Sequence, residues 1–370
     1  MKQSILFTKT KRQAPADEVS KNAQLLMRAG YVHKELSGVY AYLPLGLKVL
    51  NKIISIIRDE INKIGGQEVS MTALQGPSVW QKTDRWSEEN VDVWFKTHLR
   101  DGNELGLGFT HEEPLTNLMR DHVRSYRDLP VSVYQFQTKF RNEVRAKSGI
   151  MRSREFIMKD LYSFCRNSEE HDNFYNQAKL AYIKIFERLG LGDKTYLTFA
   201  SGGSFSKFSH EFQTVTDAGE DIIYVDEEKK LAVNKEVLVD EVLQELGLNK
   251  DNLVEKKAVE VGNIFSLGTK FSDALELNYS DEDGNVLPVV MGSYGIGPGR
   301  VMGTIVETLA DDAGIVWPSS ITPFHVHLLV LSTDQEKLET ANDLYKNLLA
   351  MGYDVLFDDR SVSAGEKLAD

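Results

Sequence analysis

The sequence is poor in cysteine: Cys165 is the single one among its 370 residues. One thiol cannot form a disulfide within the chain, which excludes a disulfide-stapled scaffold and favours a reducing compartment, the cytoplasm. No apolar stretch reaches the ~18 residues that a membrane-spanning helix requires. Residues 1–18 lack the apolar core of a secretory signal. A cytoplasmic protein is therefore expected. A mitochondrial transit peptide is the alternative, because four early residues are basic: Lys2, Lys9, Lys11 and Arg12.

Positive charge is scarce as well. The chain has 43 basic and 55 acidic residues and a formal net charge of −12. Overall charge therefore gives no support for binding nucleic acid, and any such binding must use a local basic patch. With 42% hydrophobic residues over its 370 positions, the chain can bury a large core in two or three domains.

Apolar periodicity predicts the main elements. Residues 46–64 carry isoleucine and leucine at helical spacing and end at a glycine pair, which predicts a helix that faces either the core or a dimer partner. Residues 131–140 alternate as a strand does, and a strand-like run resumes at 154–164. The basic residues 144–151 between them then form the tip of an antiparallel hairpin.

The rest of the chain mixes helices and strands. The pattern predicts a short strand over 286–291, a glycine-rich turn over 292–299, and helices over 169–190, 234–247 and 300–310. Beyond a linker with two prolines, the order strand–helix–strand is typical of a small α/β domain, with these elements at 325–331, 334–351 and 353–357.

The predicted hairpin gathers groups that suit a nucleotide. Arg141 and Glu143 stand two residues apart, so a continuous strand places them on one face. Arg152, Phe156 and Asp160 share one face of the second strand by their even spacing. Guanidinium groups bind phosphate oxygens in a fork, a flat ring stacks on a base, and a carboxylate accepts from an exocyclic amine. A salt-bridged surface hairpin without a ligand is the plainer alternative.

A second signal is the glycine-rich run 291–300, which ends at Arg300. Glycines between a strand and a helix let a ligand approach the backbone closely, and an arginine at the helix start can meet a phosphate. The run is not a P-loop, because no Lys-Ser/Thr pair follows the glycines. Its spacing also departs from the dinucleotide-binding fingerprint, which makes a dinucleotide enzyme a poor alternative.

In this order, the two signals resemble the second and third motifs of class II aminoacyl-tRNA synthetases, and the finer text resembles prolyl-tRNA synthetases of the bacterial type. The matching stretches run nearly from end to end: GVYAYLPLGLKVL at 38–50, FTHEE at 109–113, YQFQTKFRNEVR at 134–145, GIMRSREFIMKDLYSF at 149–164, SHEFQ at 209–213, VEVGNIFSLGTKFSDAL at 259–275, GSYGIGPGR at 292–300 and GIVWPSSITPF at 314–324.

The resemblance implies an α+β fold in two domains. A class II catalytic domain, an antiparallel sheet flanked by helices, would span residues 1–318. A partial α/β anticodon-binding domain would span residues 319–370. Because this domain stops short at Asp370, the chain is expected to be a fragment or to recognise the anticodon weakly.

The resemblance also implies a reaction: ATP-dependent activation of L-proline and its transfer to tRNA(Pro), with Mg²⁺ as a cofactor and a homodimer as the assembly. Arg141 would bridge the α-phosphate and the proline carboxylate, and Glu143 would meet the adenine amine. Phe156 would stack on one face of adenine. Arg300 would stack on the other face and touch the γ-phosphate, with Arg152 near that phosphate. Arg141 and Arg300 are thus the implied catalytic residues, and no metal ligand is assigned.

For the amino acid, the resemblance implies a second set of residues. Thr110 and Glu112 would hold the prolinium nitrogen, and Arg141 would hold the carboxylate. His210 and Met158 would wall the ring pocket. Ser293 would lie near its base. Without the resemblance, a Thr-His-Glu-Glu segment is more often a helix cap.

Arg145 and Lys147, in the hairpin tip, would reach the acceptor end of tRNA(Pro) through phosphate or base contacts. A solvated basic loop is an equal alternative.

The chain departs from the family pattern in several places. A short segment, roughly 217–260, stands where bacterial relatives carry a large editing domain, so no editing of mischarged alanine is expected in this chain. A non-catalytic paralogue that only binds tRNA is the alternative function, although the retained ATP-site residues argue against it. The smaller departures are Thr72 in place of a proline, Phe205-Ser206 in place of a glycine pair, and Pro298-Gly299 in place of small or hydroxyl residues.

Overall fold

The computed structural model describes residues 1–16, 18–144, 146, 148–202 and 208–369. Its helices are α1 (Lys21–Arg28), α2 (Pro44–Lys63), α3 (Pro77–Gln81), α4 (Glu112–Met119), α5 (Ser168–Arg188), α6 (Asp240–Glu245), α7 (Lys270–Leu275), α8 (Pro298–Leu309), α9 (Gln335–Ala350) and α10 (Ala364–Ala369). Within these ranges, none of the helices is both long and apolar enough to cross a bilayer.

The strands are β1 (Val32–Leu36), β2 (Val39–Tyr42), β3 (Gln67–Glu68), β4 (Leu74–Gln75), β5 (Phe95–His98), β6 (Glu104–Leu107), β7 (Val131–Phe140), β8 (Glu155–Cys165), β9 (Thr195–Ser201), β10 (Phe208–Val215), β11 (Asp221–Asp226), β12 (Leu231–Asn234), β13 (Val254–Gly268), β14 (Asn278–Ser280), β15 (Val286–Pro288), β16 (Val290–Ile296), β17 (Val326–Leu329) and β18 (Val355–Asp358).

The largest sheet has the strand order β10-β9-β12-β11-β13-β16-β8-β7-β3. Its central pairs are antiparallel: β7 with β8, β8 with β16, and β16 with β13. Helices α2, α5 and α8 contribute to one continuous apolar core with residues of these strands. This antiparallel sheet backed by helices confirms the fold class that the resemblance implied.

The predicted hairpin is confirmed: its first strand has the predicted bounds, and its second strand begins and ends one residue later than predicted. β7 and β8 pair without a bulge from Val131 opposite Phe164 to Phe140 opposite Glu155. Arg141 and Glu143 therefore follow the strand, and Arg152 precedes β8. The prediction that strand alternation places these three side chains is wrong. Phe156 and Asp160 do share one face of β8, because both lie inside the regular strand.

The glycine-rich run is mostly a strand, so the turn predicted over 292–299 is wrong except at its end. β16 continues to Ile296 and lies between β8 and β13 in the centre of the sheet. Gly292 is needed there for close packing, since a Cβ atom would come within 2.4 Å of the Tyr294 hydroxyl oxygen. The chain turns only at Gly297, and Pro298 then begins α8, as proline favours the first helical turn.

The long predicted helices are confirmed, and α2 faces the core. Its side chains Leu50, Ile53, Ile57 and Ile61 are buried against α5 and α8. The core-facing interpretation of residues 46–64 is therefore the correct one.

The segment between β10 and β13 differs from its prediction. The helix predicted over 234–247 is limited to α6 (Asp240–Glu245), because β12 and a short 3₁₀ turn occupy the residues before it. β10 pairs with both β9 and β13, so that β9 to β12 and the first half of β13 close into a ring of strands. Tyr196, Ile223 and Val225 are buried in the small cluster inside this ring.

After the proline linker, β17, α9 and β18 form the predicted strand–helix–strand unit, with the two strands parallel. The beginning of the chain also contacts this unit. The Met1 ammonium donates to the Val355 carbonyl oxygen at 2.7 Å, and the backbone of Lys2 forms an isolated parallel β-bridge with that of Phe357. The domain boundary between residues 318 and 319 stays a prediction.

Candidate active site

A cavity of about 100 Å³ opens where the β7–β8 hairpin, β13 and the start of α8 meet. Arg141 and Arg300, which are far apart in sequence, both line this cavity. The other lining residues are Glu143, Ile150, Met151, Arg152, Ser153, Phe156, Met158, Glu260, Val261, Gly262, Asn263, Gly295 and Gly297. The fold thus brings together all five side chains that were predicted to bind ATP.

Arg141 is partly buried beside an aromatic ring. Its Cζ atom lies 5.3 Å from the ring centroid of Phe156, and its Nε donates to the Phe109 carbonyl oxygen at 3.4 Å. Burial, and after it the guanidinium of Arg300, lower the pKa of Arg141. Two arginines that repel each other across a cavity favour an anion between them.

Arg300 lies in the first turn of α8, and backbone atoms fix its direction. Its Nε donates to the Met151 carbonyl oxygen at 2.9 Å. Its Nη1 donates to the Glu260 carbonyl oxygen at 3.0 Å and lies 3.5 Å from Oε2 of the same residue. The guanidinium therefore joins the turn before β8 to β13 and presents its charge at the cavity wall.

Arg152 is paired with two carboxylates. Its Nη2 lies 2.9 Å from Oε2 of Glu143, and its Nη1 lies 2.8 Å from Oε2 of Glu220. The Arg152 side chain is 42% exposed, so solvent screens both ion pairs and each stabilises the fold weakly. A more highly charged anion can therefore replace Glu220 at this arginine.

A second polar set surrounds Glu112, which is buried at the start of α4. The Thr110 hydroxyl donates to Oε2 of Glu112 at 2.6 Å, and the Ser293 hydroxyl donates to Oε1 at 3.5 Å. Arg141 contacts this set through Phe109, the residue before Thr110. A buried carboxylate beside hydroxyl groups suits an organic ammonium, so the predicted grouping of Thr110, Glu112 and Ser293 is found.

Met158 lines the cavity on the same face of β8 as Phe156, as expected for a wall residue. His210 does not join it. His210 is opposite Ile264 in β13, and Ile264 is opposite Tyr294, whose ring packs on α5. The His210 ring accordingly contacts α5 through a 2.8 Å hydrogen bond between its Nδ1 and the Tyr175 hydroxyl. His210 therefore lies on the α5 face of the sheet, opposite the face that carries Ser293, and the structure does not show it in the predicted wall of the proline ring pocket.

Three polar residues of this region were missed. Glu260 and Asn263 line the cavity, and Asn263 donates to Glu260 at 2.7 Å. A bulge opposite Phe212 and Gln213 brings Glu260 to this face, and no sequence pattern announces such a bulge. Glu211 is opposite Asn263, and burial together with Glu260 raises the pKa of Glu211 to about 7. In the sequence, the one signal for Glu211 was its position next to His210, a predicted site residue.

A buried arginine was missed as well. Arg85 Nη1 lies 3.4 Å from Oε2 of Glu112 and 3.0 Å from Oε1 of Glu113. The guanidinium packs on the rings of Trp80 and Phe109. Arg85 therefore holds the first turn of α4 in place through its contacts with Glu112 and Glu113.

Some predicted residues lie outside the described part of the chain. Arg145 and Lys147, the predicted tRNA contacts, are among them, and so is the pair Phe205-Ser206.

Comparisons with known proteins agree on one family. The family model of the tRNA synthetase class II core domain (G, H, P, S and T) matches residues 94–309. The proline–tRNA ligase of Bacillus licheniformis is 31% identical over 520 aligned positions, which cover 100% of this chain and 91% of that protein. A proline–tRNA ligase of Bacillus cereus is 30% identical over 520 positions, covering 100% of this chain and 92% of that protein.

Solved structures show the same fold. The prolyl-tRNA synthetase of Cryptosporidium parvum in complex with L-proline and AMP superposes with a TM-score of 0.74 at 19% identity, covering 94% of this chain. That of Giardia lamblia in complex with prolyl-adenylate gives 0.75 at 20% identity, covering 93%. The chain spans 64% and 66% of the length of these two proteins. Together, these matches show that the chain belongs to the proline–tRNA ligase family of class II aminoacyl-tRNA synthetases.

Proposed function

We propose that the chain activates L-proline with ATP and transfers it to tRNA(Pro). The observation that carries this proposal is the cavity shared by Arg141 and Arg300, with the Thr110–Glu112–Ser293 set linked to it through Phe109. One part suits a triphosphate and the other suits an ammonium group, so the two substrates of the activation step have adjacent places.

The chemistry requires alignment and positive charge more than proton transfer. The proline carboxylate attacks the α-phosphorus of ATP, a bond from carboxylate oxygen to phosphorus forms, and the bond to the leaving pyrophosphate breaks. The nucleophile is already an anion, so no general base is needed. Guanidinium groups that line the cavity stabilise the charge that builds up on the phosphate oxygens in the transition state.

Each ATP-site residue keeps the role that the family resemblance implies, and its position is compatible with that role. Arg141 would bind the α-phosphate and the proline carboxylate, because it lies between the cavity and Phe109. Arg300 and Arg152 would bind the terminal phosphates. Glu143 would accept from the adenine amine once a phosphate draws Arg152 away from it. Phe156 would stack on adenine, which requires the Arg141 guanidinium to move toward the phosphates.

In the amino-acid site, the two N–H donors of prolinium would meet Glu112 and Thr110. Glu112 adds a full negative charge that a neutral acceptor lacks. Ser293 holds the second carboxylate oxygen, and Met158 offers an apolar wall for the ring.

Glu260 and Glu211 are the side chains best placed to hold Mg²⁺. The described residues contain no cluster of three or more metal-ligating side chains. That is compatible with this ion, which is usually held by one or two carboxylates together with substrate phosphates and water. Glu260 lines the cavity, Glu211 is opposite Asn263, which donates to Glu260, and burial followed by Glu260 raises the pKa of Glu211. When bound, Mg²⁺ would neutralise charge on the phosphates.

Three further features complete the proposal. No editing domain is expected, because only the short segment at roughly 217–260 stands in its place, and the 520 positions aligned with the Bacillus licheniformis enzyme exceed the 370 residues of this chain by 150. Residues 1–318 would form the catalytic domain and 319–370 part of an anticodon-binding domain. Arg145 and Lys147 would contact tRNA(Pro). The protein would be a cytoplasmic homodimer, and analytical ultracentrifugation can test whether it forms a dimer.

The test is exchange of labelled pyrophosphate into ATP, measured with each amino acid in turn. The expected result is exchange that depends on proline. Exchange with threonine, serine or histidine instead would assign the chain elsewhere in class II. Arg141→Ala should abolish the exchange, and Arg141→Lys, which keeps the charge without the fork, should retain a small part of it. A chain that binds tRNA(Pro) but never exchanges pyrophosphate would be the non-catalytic paralogue.

A further inference from the structure

A fully buried ion pair lies directly behind the proposed proline site. Lys139 of β7 and Asp160 of β8 have side chains that are 0% and 3% exposed, and Lys139 Nζ lies 2.9 Å from Oδ2 of Asp160. The same carboxylate oxygen accepts from Gln135 Nε2 and from the Tyr162 hydroxyl, each at 3.0 Å. A charged pair buried to this degree costs desolvation energy, so its purpose is more specific than general stability.

The pair holds His111, the residue between Thr110 and Glu112. Lys139 Nζ donates to Nδ1 of His111 at 2.6 Å. His111 Nε2 donates to the Thr72 carbonyl oxygen at 2.9 Å, and its backbone N–H donates to the Tyr162 hydroxyl at 3.2 Å. The imidazole must be neutral to accept from an ammonium group. Burial, and after it Lys139, lower the pKa of His111 to about 4, which agrees with that requirement.

His111 has no freedom to shift within this arrangement. The residue is completely buried, and a Cβ atom on Gly108 would lie 2.9 Å from its Cε1 atom. A side chain held at both ring nitrogens and at its backbone N–H fixes the backbone on either side of it. The two neighbours so fixed are Thr110 and Glu112, whose oxygens are the proposed acceptors of the prolinium N–H groups.

We propose that Lys139 and His111 are positioning residues for proline: Lys139 holds His111, and His111 fixes the spacing and direction of the Thr110 and Glu112 acceptors. This inference rests on the proposed function. Neither side chain lines the ATP cavity, so the effect falls on the amino-acid site. Small displacements of substrate-binding groups are costly in catalysis, and outer residues that orient them commonly matter about 10- to 100-fold.

Two substitutions at His111 separate its two ring contacts. In His111→Asn, the amide oxygen can take the place of Nδ1 and accept from Lys139. In His111→Gln, the amide nitrogen can take the place of Nε2 and donate to the Thr72 carbonyl, whereas Lys139 loses its contact with residue 111 and keeps only Asp160. Lys139→Met is a third variant, which leaves Asp160 with its two other donors. Pyrophosphate exchange is measured with proline and with ATP as the varied substrate, after the melting temperature of each variant has been recorded.

The expected result is that His111→Gln and Lys139→Met raise the KM for proline about tenfold or more and leave the KM for ATP within about twofold. His111→Asn should stay closer to the unsubstituted chain. Equal changes in both KM values, or an unchanged KM for proline in folded His111→Gln, would overturn the inference. If Lys139→Met does not fold, the His111 pair decides. Absence of proline-dependent exchange in the unsubstituted chain would instead refute the proposed function.

Discussion

Replacing Glu112 with glutamine tests the proposed proline site with an effect whose size can be worked out from the structure. The residue is 8% exposed, its carboxylate accepts from Thr110 and Ser293, and the proposal adds the prolinium nitrogen. Glu112→Gln keeps the shape and one acceptor oxygen but removes the charge. A hydrogen bond to a charged group contributes about 1.5–3 kcal/mol. Because about 1.4 kcal/mol corresponds to a tenfold change, the KM for proline should rise roughly 10- to 150-fold.

The assay is pyrophosphate exchange with proline or ATP varied, and the neighbouring carboxylate is the matched control. Burial raises the pKa of Glu113 to about 7, and the carboxylate faces Arg85 and Thr83. Glu113→Gln resembles its protonated form and should change the KM for proline less than about threefold. If the two variants raised that KM equally, or if Glu112→Gln raised the KM for ATP instead, Glu112 would not be the acceptor for the imino nitrogen.

Three further predictions concern stability and the metal. Gly292→Ala should lower the free energy of unfolding by roughly 1–3 kcal/mol in urea titrations, because the new Cβ atom would come within 2.4 Å of Tyr294 Oη. Gly365→Ala is the control and should not lower it, because a Cβ atom there would meet open space. Since the pKa of His111 falls from 6.5 to about 4 on folding, the unfolded chain binds more protons between these values. The free energy of unfolding should therefore fall as pH falls from 6.5 to 4, by up to about 3 kcal/mol from this residue, and His111→Asn should flatten that dependence. Glu260→Gln should raise the Mg²⁺ concentration needed for half-maximal exchange, and an unchanged requirement would remove Glu260 from the metal site.

Elements whose apolar residues follow a continuous pattern along the chain are predicted well from the sequence. The residues of β7 alternate, β8 is an apolar-rich run and α2 carries a continuous apolar stripe, so these elements were predicted close to their observed bounds. The glycine-rich run misled because glycine has two uses. At Gly292 it permits close packing inside a strand, and at Gly297 it permits a turn.

The predicted site residues depended on the resemblance, and the side of the sheet that each faces depended on pairing. His210 is on the α5 side because it shares a row with Ile264 and Tyr294, which only the register reveals. Glu260 reaches the cavity through a bulge, a feature with no signature in one sequence. Lys139 appears in the sequence as an ordinary strand lysine, and only the burial of its ammonium group identifies its contact with His111.

The most direct test of the central claim is a crystal structure of the chain with L-proline and a non-hydrolysable ATP analogue. Phosphate oxygens are expected within hydrogen-bonding distance of both Arg141 and Arg300, and the proline nitrogen is expected at Glu112. A triphosphate bound away from either arginine, or proline with its nitrogen directed away from Glu112, would contradict the account.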